Sequence, residues 1–168
     1  MSELQIKLCG DLILREKCAQ VSEITSEIQN ILDKMVEIMN NQNGVGLAAP
    51  QVGILQRFLV MMNPDTKEIF KMINPRIMSR GEKTCVMEEG CLSVVDSDNM
   101  PVYANVSRPE TVEVEWADDS GRENRAKMSG LAARIVQHEI DHLDGILFID
   151  YLSPLRREML MRKVRKRK

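Results

Sequence analysis

Residues 137–142, QHEIDH, constrain the fold of this chain more than any other part of its sequence. They contain the pattern H-E-x-x-H, in which His138 and His142 are four residues apart and Glu139 follows the first histidine. On an α-helix this spacing places two side chains on one face, with Cβ atoms about 5–6 Å apart. Two imidazoles at that separation can bind one metal ion, and the glutamate beside them can take a proton from water. The segment therefore predicts a helix that carries a metal site.

The flanking sequence favours this helix. Ser129 suits the N-cap, Gly145 suits the end of the helix, and four apolar residues recur at helical spacing: Leu131, Ile135, Ile140 and Leu143. The alternative is a helix whose two histidines and glutamate have no joint role. Because the chain of 168 residues contains only these two histidines, the metal site is the stronger interpretation.

The third ligand is less constrained by the sequence. A catalytic metal usually has three protein ligands and one open position, and without another histidine the third must be Cys, Asp or Glu. Downstream of the helix the candidates are Asp144, Asp150 and Glu158. Upstream, Cys91 lies between a glycine and a leucine in a bend that could present a thiolate. The alternative for Cys91 is a buried thiol with no ligand role.

Composition limits the class of protein. A chain of 168 residues with 43% hydrophobic content fits one globular domain. No apolar run approaches the roughly 18–20 residues of a membrane span, and the first seven residues lack a signal-peptide pattern. The four cysteines have no paired spacing, which favours a reducing compartment. We therefore expect a cytoplasmic protein that does not insert into a membrane.

Charge is distributed unevenly along the chain. Residues 155–168 contain eight Lys or Arg and a single acidic residue, a net charge of +7, whereas the remainder has a net charge of −9. Such a basic segment can bind a polyanion. A solvated helix end is an equally good interpretation at this stage.

The remaining pattern predicts an α+β fold. Apolar residues at helical spacing predict a helix over 25–40, and the pair Ser153-Pro154 predicts the start of a final helix. Alternation and turn residues predict short strands over 57–62, 68–73, 84–87, 111–116 and 125–128, the last two paired across 118–121. We predict small antiparallel β-sheets around a central metal-binding helix.

Three segments resemble the signature motifs of peptide deformylases. They are GVGLAAPQ at 44–51, EGCLS at 89–93 and QHEIDHLDG at 137–145, in the family's order and spacing. The resemblance runs from the N-terminus to about Leu152. It implies a peptide-deformylase-like fold, with a catalytic domain over 1–152 and a basic C-terminal helix or tail over 153–168.

The resemblance implies a role for each motif residue. Cys91, His138 and His142 would bind the metal, naturally Fe²⁺, for which Zn²⁺, Ni²⁺ or Co²⁺ can substitute. A bound metal lowers the pKa of water towards about 7. Glu139 would take the proton of that water and pass it to the leaving amine.

Further residues are expected to bind the substrate. The Gln51 side-chain amide and the Leu92 backbone N–H would stabilise the oxyanion, and the substrate backbone would lie beside Val45 and Gly46. The expected side-chain pocket is formed by Glu89, Tyr103, Leu131 and Arg134. For Arg134 we expect a stem that lines this pocket and a charged head that reaches solvent.

One departure from the family is a longer acidic loop over 95–100, without the proline that commonly follows the cysteine motif. The resemblance implies removal of the formyl group from N-formylmethionyl peptides, with release of formate. Nascent chains would be the substrate, with docking on the ribosome surface through the basic tail, no DNA partner and a monomeric enzyme. A metallopeptidase and a non-enzymatic metal-bearing accessory factor of the ribosome are the rival interpretations.

Overall fold

The structure is a computed structural model that describes residues 4–165. Within that range three α-helices occur, α1 (Ser26–Asn41), α2 (Gly130–Leu143) and α3 (Pro154–Arg165). Short 3₁₀ helices span Leu12–Arg15, Ala49–Val52 and Phe148–Tyr151. The strands are β1 (Gly46–Ala48), β2 (Phe58–Met62), β3 (Ile69–Arg80), β4 (Thr84–Glu89), β5 (Ala104–Pro109), β6 (Thr111–Ala117) and β7 (Glu123–Ser129). The predicted α+β class is confirmed.

Two antiparallel sheets organise the molecule. Five strands pair in the order β1-β2-β3-β6-β7, and β4 pairs with β5 in a separate sheet. Successive side chains of a strand point to opposite faces. In β2, Leu59 and Met61 pack in the cluster that contains α2, whereas Phe58 and Val60 pack in the cluster that contains α1. The larger sheet is therefore covered by one helix on each face.

Helix α2 lies in the interior, as predicted for the metal-binding helix. Its side chains from Ala132 to Leu143 are buried, except that Asp141 is partly exposed. Ser129 takes the N-cap position, but its side chain makes no capping hydrogen bond. Gly145 adopts a left-handed φ of 75°, which suits the residue that follows a helix end. Helix α1 matches the predicted span, and the Thr25 side chain accepts a hydrogen bond from Ile28 N.

The predicted strand over 68–73 is too short. Strand β3 continues to Arg80, with a register shift after Ile73. Asn74 lies at this shift with a left-handed φ of 52°. Its side-chain amide accepts a hydrogen bond from Val21 N and donates one to Val21 O. The Asn74-Pro75 pair thus forms a bulge inside a long strand. Strands β1 and β5 were not predicted.

Helix α3 is more than a charged extension. Leu160 and Val164 are buried in a cluster that also contains Cys91, Val106 and Phe148. The boundary at 152/153 remains a sequence prediction, and the last three basic residues, 166–168, lie outside the described residues. Between residues 4 and 165, none of the helices has both the length and the apolar character needed to cross a bilayer.

Candidate metal centre

Three potential ligands meet in the interior. Cys91, His138 and His142 are buried, and their ligand atoms all lie within 4.8 Å of one another. Cys91 Sγ and His142 Nε2 lie 3.3 Å apart. The two imidazole centroids are 5.0 Å apart, as expected for histidines one helical turn apart. The fold thus brings the upstream cysteine to the helical pair.

Local structure presents the cysteine sulfur. Cys91 follows the end of β4 and forms an isolated bridge with Val94. Its Sγ accepts hydrogen bonds from Ser93 N and from Gln51 Nε2, each at 3.4 Å. These donors can stabilise negative charge on the sulfur. Ser93 is therefore part of the site, although the sequence assigned it no role.

The orientation of His138 is set by a carboxylate. His138 Nδ1 lies 3.0 Å from Glu89 Oε2, and the ring stacks against Phe148 with centroids 6.0 Å apart. A hydrogen bond at Nδ1 leaves Nε2 for a metal, which is the usual arrangement of a histidine ligand.

Glu89 is the centre of a buried charge network. Arg108 donates to both of its oxygens, at 2.6 and 3.0 Å, and Arg134 donates to Oε1 at 2.5 Å. Burial alone would raise the pKa of Glu89, but hydrogen bonds from His138 and Arg108 lower it to about 2. Glu89 is therefore ionised at neutral pH.

One prediction for the substrate pocket needs correction, whereas the substrate-binding role of Glu89 stays a prediction. Glu89 lines the cleft, and both of its carboxylate oxygens are engaged by protein groups. Arg134 was expected to reach solvent with its charged head, and this is wrong. The residue is 4% exposed, and its guanidinium donates to Glu89, to Val106 O and to Cys85 O. A charged head can stay buried here because β4 and β5 supply acceptors.

No role in the site was predicted for Arg108 or Asp141. Arg108 Nη1 donates to Asp141 at 2.7 Å, and the Tyr151 hydroxyl donates to the same carboxylate at 2.8 Å. Asp141 lies inside the H-E-x-x-H helix, so its proximity to the site was foreseeable. Arg108 gave a weaker signal, because nothing in the sequence shows that its strand crosses this helix.

Glu139 lies beside the three ligands without joining them. It is buried, and burial raises its pKa to about 7. Its Oε2 has no hydrogen-bond partner among the described residues. Its Oε1 lies against Gly46, where an added Cβ would come within 2.4 Å. The carboxyl group can therefore exchange a proton near neutral pH and has an oxygen free to do so.

The donor set suits a single divalent transition metal. A thiolate with two imidazoles accepts Fe²⁺, Co²⁺, Ni²⁺ or Zn²⁺. Burial, and next the nearby His138, lower the pKa of His142, which favours its neutral, ligating form. For His138, burial opposes protonation, but hydrogen bonds with Cys91 and Glu89 raise its pKa. A metal would displace that proton, since histidine binds metals in its neutral form.

A cleft of about 410 Å³ opens onto these groups. Its lining includes every predicted site residue except His142: Val45, Gly46, Gln51, Glu89, Cys91, Leu92, Tyr103, Leu131, Arg134, His138 and Glu139. At the floor, Gln51 Oε1 accepts from Ala48 N at 2.8 Å, which fixes the orientation of its amide group. The Gln51 Nε2 donates to Ser93 Oγ at 3.0 Å.

An α+β fold with a buried Cys-His₂ cluster, an adjacent carboxyl group and a cleft defines a metal-dependent hydrolase. The family model of polypeptide deformylases matches residues 3–158. The peptide deformylase of Thermodesulfovibrio yellowstonii is 43% identical over 173 residues, covering 100% of both chains. A peptide deformylase structure from Ehrlichia chaffeensis superposes with a TM-score of 0.91 at 34% identity, covering 98% of this chain and 96% of that one. The same organism's enzyme in complex with actinonin gives a TM-score of 0.90 at 35% identity, covering 99% and 98%.

The chain belongs to the polypeptide deformylase family. It is a hydrolase of protein biosynthesis that removes the N-formyl group from polypeptides, and metal dependence is the norm in this family. The predicted family, fold and enzyme class are confirmed.

Proposed function

We propose that Cys91, His138 and His142 hold the single metal ion of the deformylase reaction, and that this ion is naturally Fe²⁺. The observation that carries the proposal is the convergence of these three buried side chains within 4.8 Å beside the carboxyl of Glu139. When bound there, the ion would polarise the formyl oxygen and lower the pKa of water towards about 7. Zn²⁺, Ni²⁺ or Co²⁺ would fit the same ligands.

Glu139 manages protons in this proposal. Its Oε2, which has no hydrogen-bond partner within residues 4–165, takes the proton of the attacking water and later delivers it to the nitrogen of the departing amino group. A pKa raised to about 7 by burial suits both steps, because the group can gain and lose a proton at working pH. The products are formate and a free amino terminus.

Gln51 and Leu92 stabilise the negative charge that develops on the formyl oxygen. The amide of Gln51 is held by Ala48 N, so its NH₂ group faces Cys91 and Ser93. One of its two N–H bonds turns to the formyl oxygen when substrate is present. The backbone N–H of Leu92, in the same cleft, is the second donor. Loss of one such donor typically costs about 10²–10³ in rate.

The substrate backbone adds as a strand beside Val45 and Gly46. Strand β1 is an edge strand, paired with β2 on one side only, and both residues line the cleft. An extended peptide can hydrogen-bond along such an edge. Leu131, Tyr103 and the stem of Arg134 then surround the methionine side chain. Glu89 contributes to the pocket wall through its strand rather than through its carboxylate.

Metal content and substrate choice test the proposal together. The protein, loaded with Ni²⁺ or Fe²⁺, is expected to release formate from formyl-Met-Ala-Ser, and to leave acetyl-Met-Ala-Ser and unblocked Met-Ala-Ser intact. Cys91→Ala is expected to lose bound metal and activity together, whereas Cys18→Ala, which removes an equally buried thiol outside the ligand cluster, serves as the matched control. A Cys91→Ala variant that keeps a full equivalent of tightly held metal would refute the ligand assignment. Cleavage of the unblocked peptide would instead support a metallopeptidase.

The identity of the native ion has its own test. Fe²⁺ beside a thiolate is exposed to oxidation of the iron and of Cys91, whereas Ni²⁺ is stable in air. The iron form is therefore expected to lose activity faster in air than the nickel form. Equal aerobic half-lives would contradict this expectation.

We further propose that the enzyme is a cytoplasmic monomer that meets nascent chains at the ribosome. The exposed side chains of Arg156, Arg162 and Lys163 on α3 supply a positive surface for RNA phosphates. No DNA partner is proposed.

A further inference from the structure

Arg134 occupies an unusual position for an arginine. It lies one helical turn before His138 on α2, yet it is 4% exposed. Its guanidinium reaches the Glu89 carboxylate, Val106 O and Cys85 O. We propose that Arg134 is a positioning residue, which holds the Glu89 carboxylate where it orients His138 as a metal ligand. This inference rests on the metal site proposed above.

The bond between Glu89 and His138 has no counterpart at the second histidine. His142 Nδ1 has no hydrogen-bond partner within the part of the chain that the structure describes. His138 Nδ1, by contrast, lies 3.0 Å from Glu89 Oε2. The direction of the His138 ring therefore depends on where the carboxylate sits, and partners of this kind typically change metal affinity or activity by about 10- to 100-fold.

Arg108 alone does not balance the charge of this carboxylate. It donates to Glu89 but also to Asp141 at 2.7 Å, so one guanidinium is shared between two carboxylates. Arg134 supplies the second positive charge and contacts Glu89 from the helix side. Because its other acceptors are carbonyls of β4 and β5, it also joins α2 to both strands of the smaller sheet. The carboxylate is thereby fixed from two directions.

The positive charge of Arg134 has a second effect on metal affinity, opposite to that of its positioning role. A positive charge close to a metal site repels the cation, so its removal alone would strengthen metal binding. Loss of positioning would weaken it. Arg134→Lys and Arg134→Met separate the two, because lysine keeps the charge but cannot reproduce the planar, multiple hydrogen bonds of arginine.

The experiment measures Ni²⁺ affinity of the full chain by competition with a chelator. Arg134→Met is expected to bind Ni²⁺ about 10- to 100-fold more weakly than the wild type, and Arg134→Lys is also expected to bind more weakly. Arg125→Met is the matched control, because Arg125 makes similar ion pairs with Glu113 and Glu115 on an exposed strand surface. Its affinity should equal that of the wild type. Circular dichroism of the metal-free proteins verifies that each variant is folded.

Two further readouts distinguish positioning from a purely structural role. At equal metal occupancy, the visible absorption of the Co²⁺ form is expected to change in Arg134→Lys but not in Arg125→Met. In a double-mutant cycle with Glu89→Gln, the effects of Arg134→Met and Glu89→Gln on affinity should be non-additive, because one residue acts through the other.

The outcomes separate this inference from the function on which it rests. If the wild type binds no Ni²⁺, the proposed metal site itself fails. If the wild type binds Ni²⁺ and both Arg134 variants bind it equally well or more tightly, the positioning role is overturned. Additive effects in the cycle would overturn it as well.

Discussion

Glu139 differs from the other carboxylates of the site in its hydrogen bonding. Glu89 is surrounded by donors, whereas Glu139 Oε2 has no partner among the described residues. We expect Glu139→Gln to keep one equivalent of metal and to lose at least about 100-fold in kcat/KM, the scale of general acid–base catalysis. Metal analysis and steady-state kinetics measure the two quantities on the same preparation. A variant of near-normal rate would refute the proton-transfer role.

Gly46 provides the space that Glu139 occupies. A Cβ at this position would lie 2.4 Å from Glu139 Oε1 and 2.7 Å from its carboxyl carbon, so one of the two residues must move. Gly46→Ala is therefore expected to lower kcat by about 10-fold or more, because small displacements of catalytic groups are costly. Metal content should remain normal. Met78→Ala provides the control, since Met78 is exposed on β3 and does not line the cleft.

A Gly46→Ala variant with unchanged kcat would show that Glu139 adjusts without cost. Conversely, loss of metal would mean that the substitution disturbs His138 as well. The sequence indicated that something approaches this glycine closely, but named the substrate backbone. The structure shows that the carboxyl group of Glu139 also does so.

The elements of this fold differ in how far the sequence predicts them. Helix α2 was predictable because its periodicity, its capping region and its metal pattern are all local. Strand β1 was not, since three residues are too few to show alternation. Strand β3 was predicted only as far as Ile73, although its pairing with β6 continues beyond the bulge at Asn74.

Helix α3 contains one buried side and one charged side. Leu160 is 7% exposed in the cluster with Cys91 and Phe148, whereas Leu155 is 69% exposed on the same helix. Leu160→Ala is expected to lower the free energy of unfolding by about 2–5 kcal/mol, because it opens a cavity in that cluster. Leu155→Ala, the matched control, should change it by no more than about 0.5 kcal/mol. Urea unfolding of the metal-free proteins measures both, and equal values would show that α3 is not packed on the body.

At the scale of the whole molecule, the sequence predicted which residues line the site. It did not predict the hydrogen-bond partners that hold those residues in place. The motif residues could be named because each lies in a short, distinctive segment. The partners of Glu89 could not, because Arg108 and Arg134 come from distant segments and meet only after β5 and α2 pack together. Arg134 illustrates the limit. Exposure is the usual state of an arginine, and only the tertiary arrangement supplies acceptors that allow its burial.

The uneven charge of the chain leads to a last prediction. The basic segment 155–168 has a net charge of +7, and the remainder has a net charge of −9. Truncation would be a poor test of ribosome binding, because Leu160 and Val164 belong to the buried cluster around Cys91. We therefore choose a triple substitution that alters only exposed side chains of α3. This helix variant combines Arg156→Ala, Arg162→Ala and Lys163→Ala. The control, called the body variant, removes the same charge from the exposed surface of the body by combining Lys67→Ala, Arg80→Ala and Arg122→Ala.

If α3 binds RNA phosphates, the helix variant should bind ribosomes more weakly than the body variant, and its binding should depend less steeply on salt, because fewer counterions are released. Cleavage of formyl-Met-Ala-Ser should be unchanged in both variants, since none of the six residues lines the cleft. Sedimentation with purified ribosomes over a range of salt concentrations measures the effect. Equal affinities for the two variants at low salt would mean that the positive surface of α3 serves only solubility.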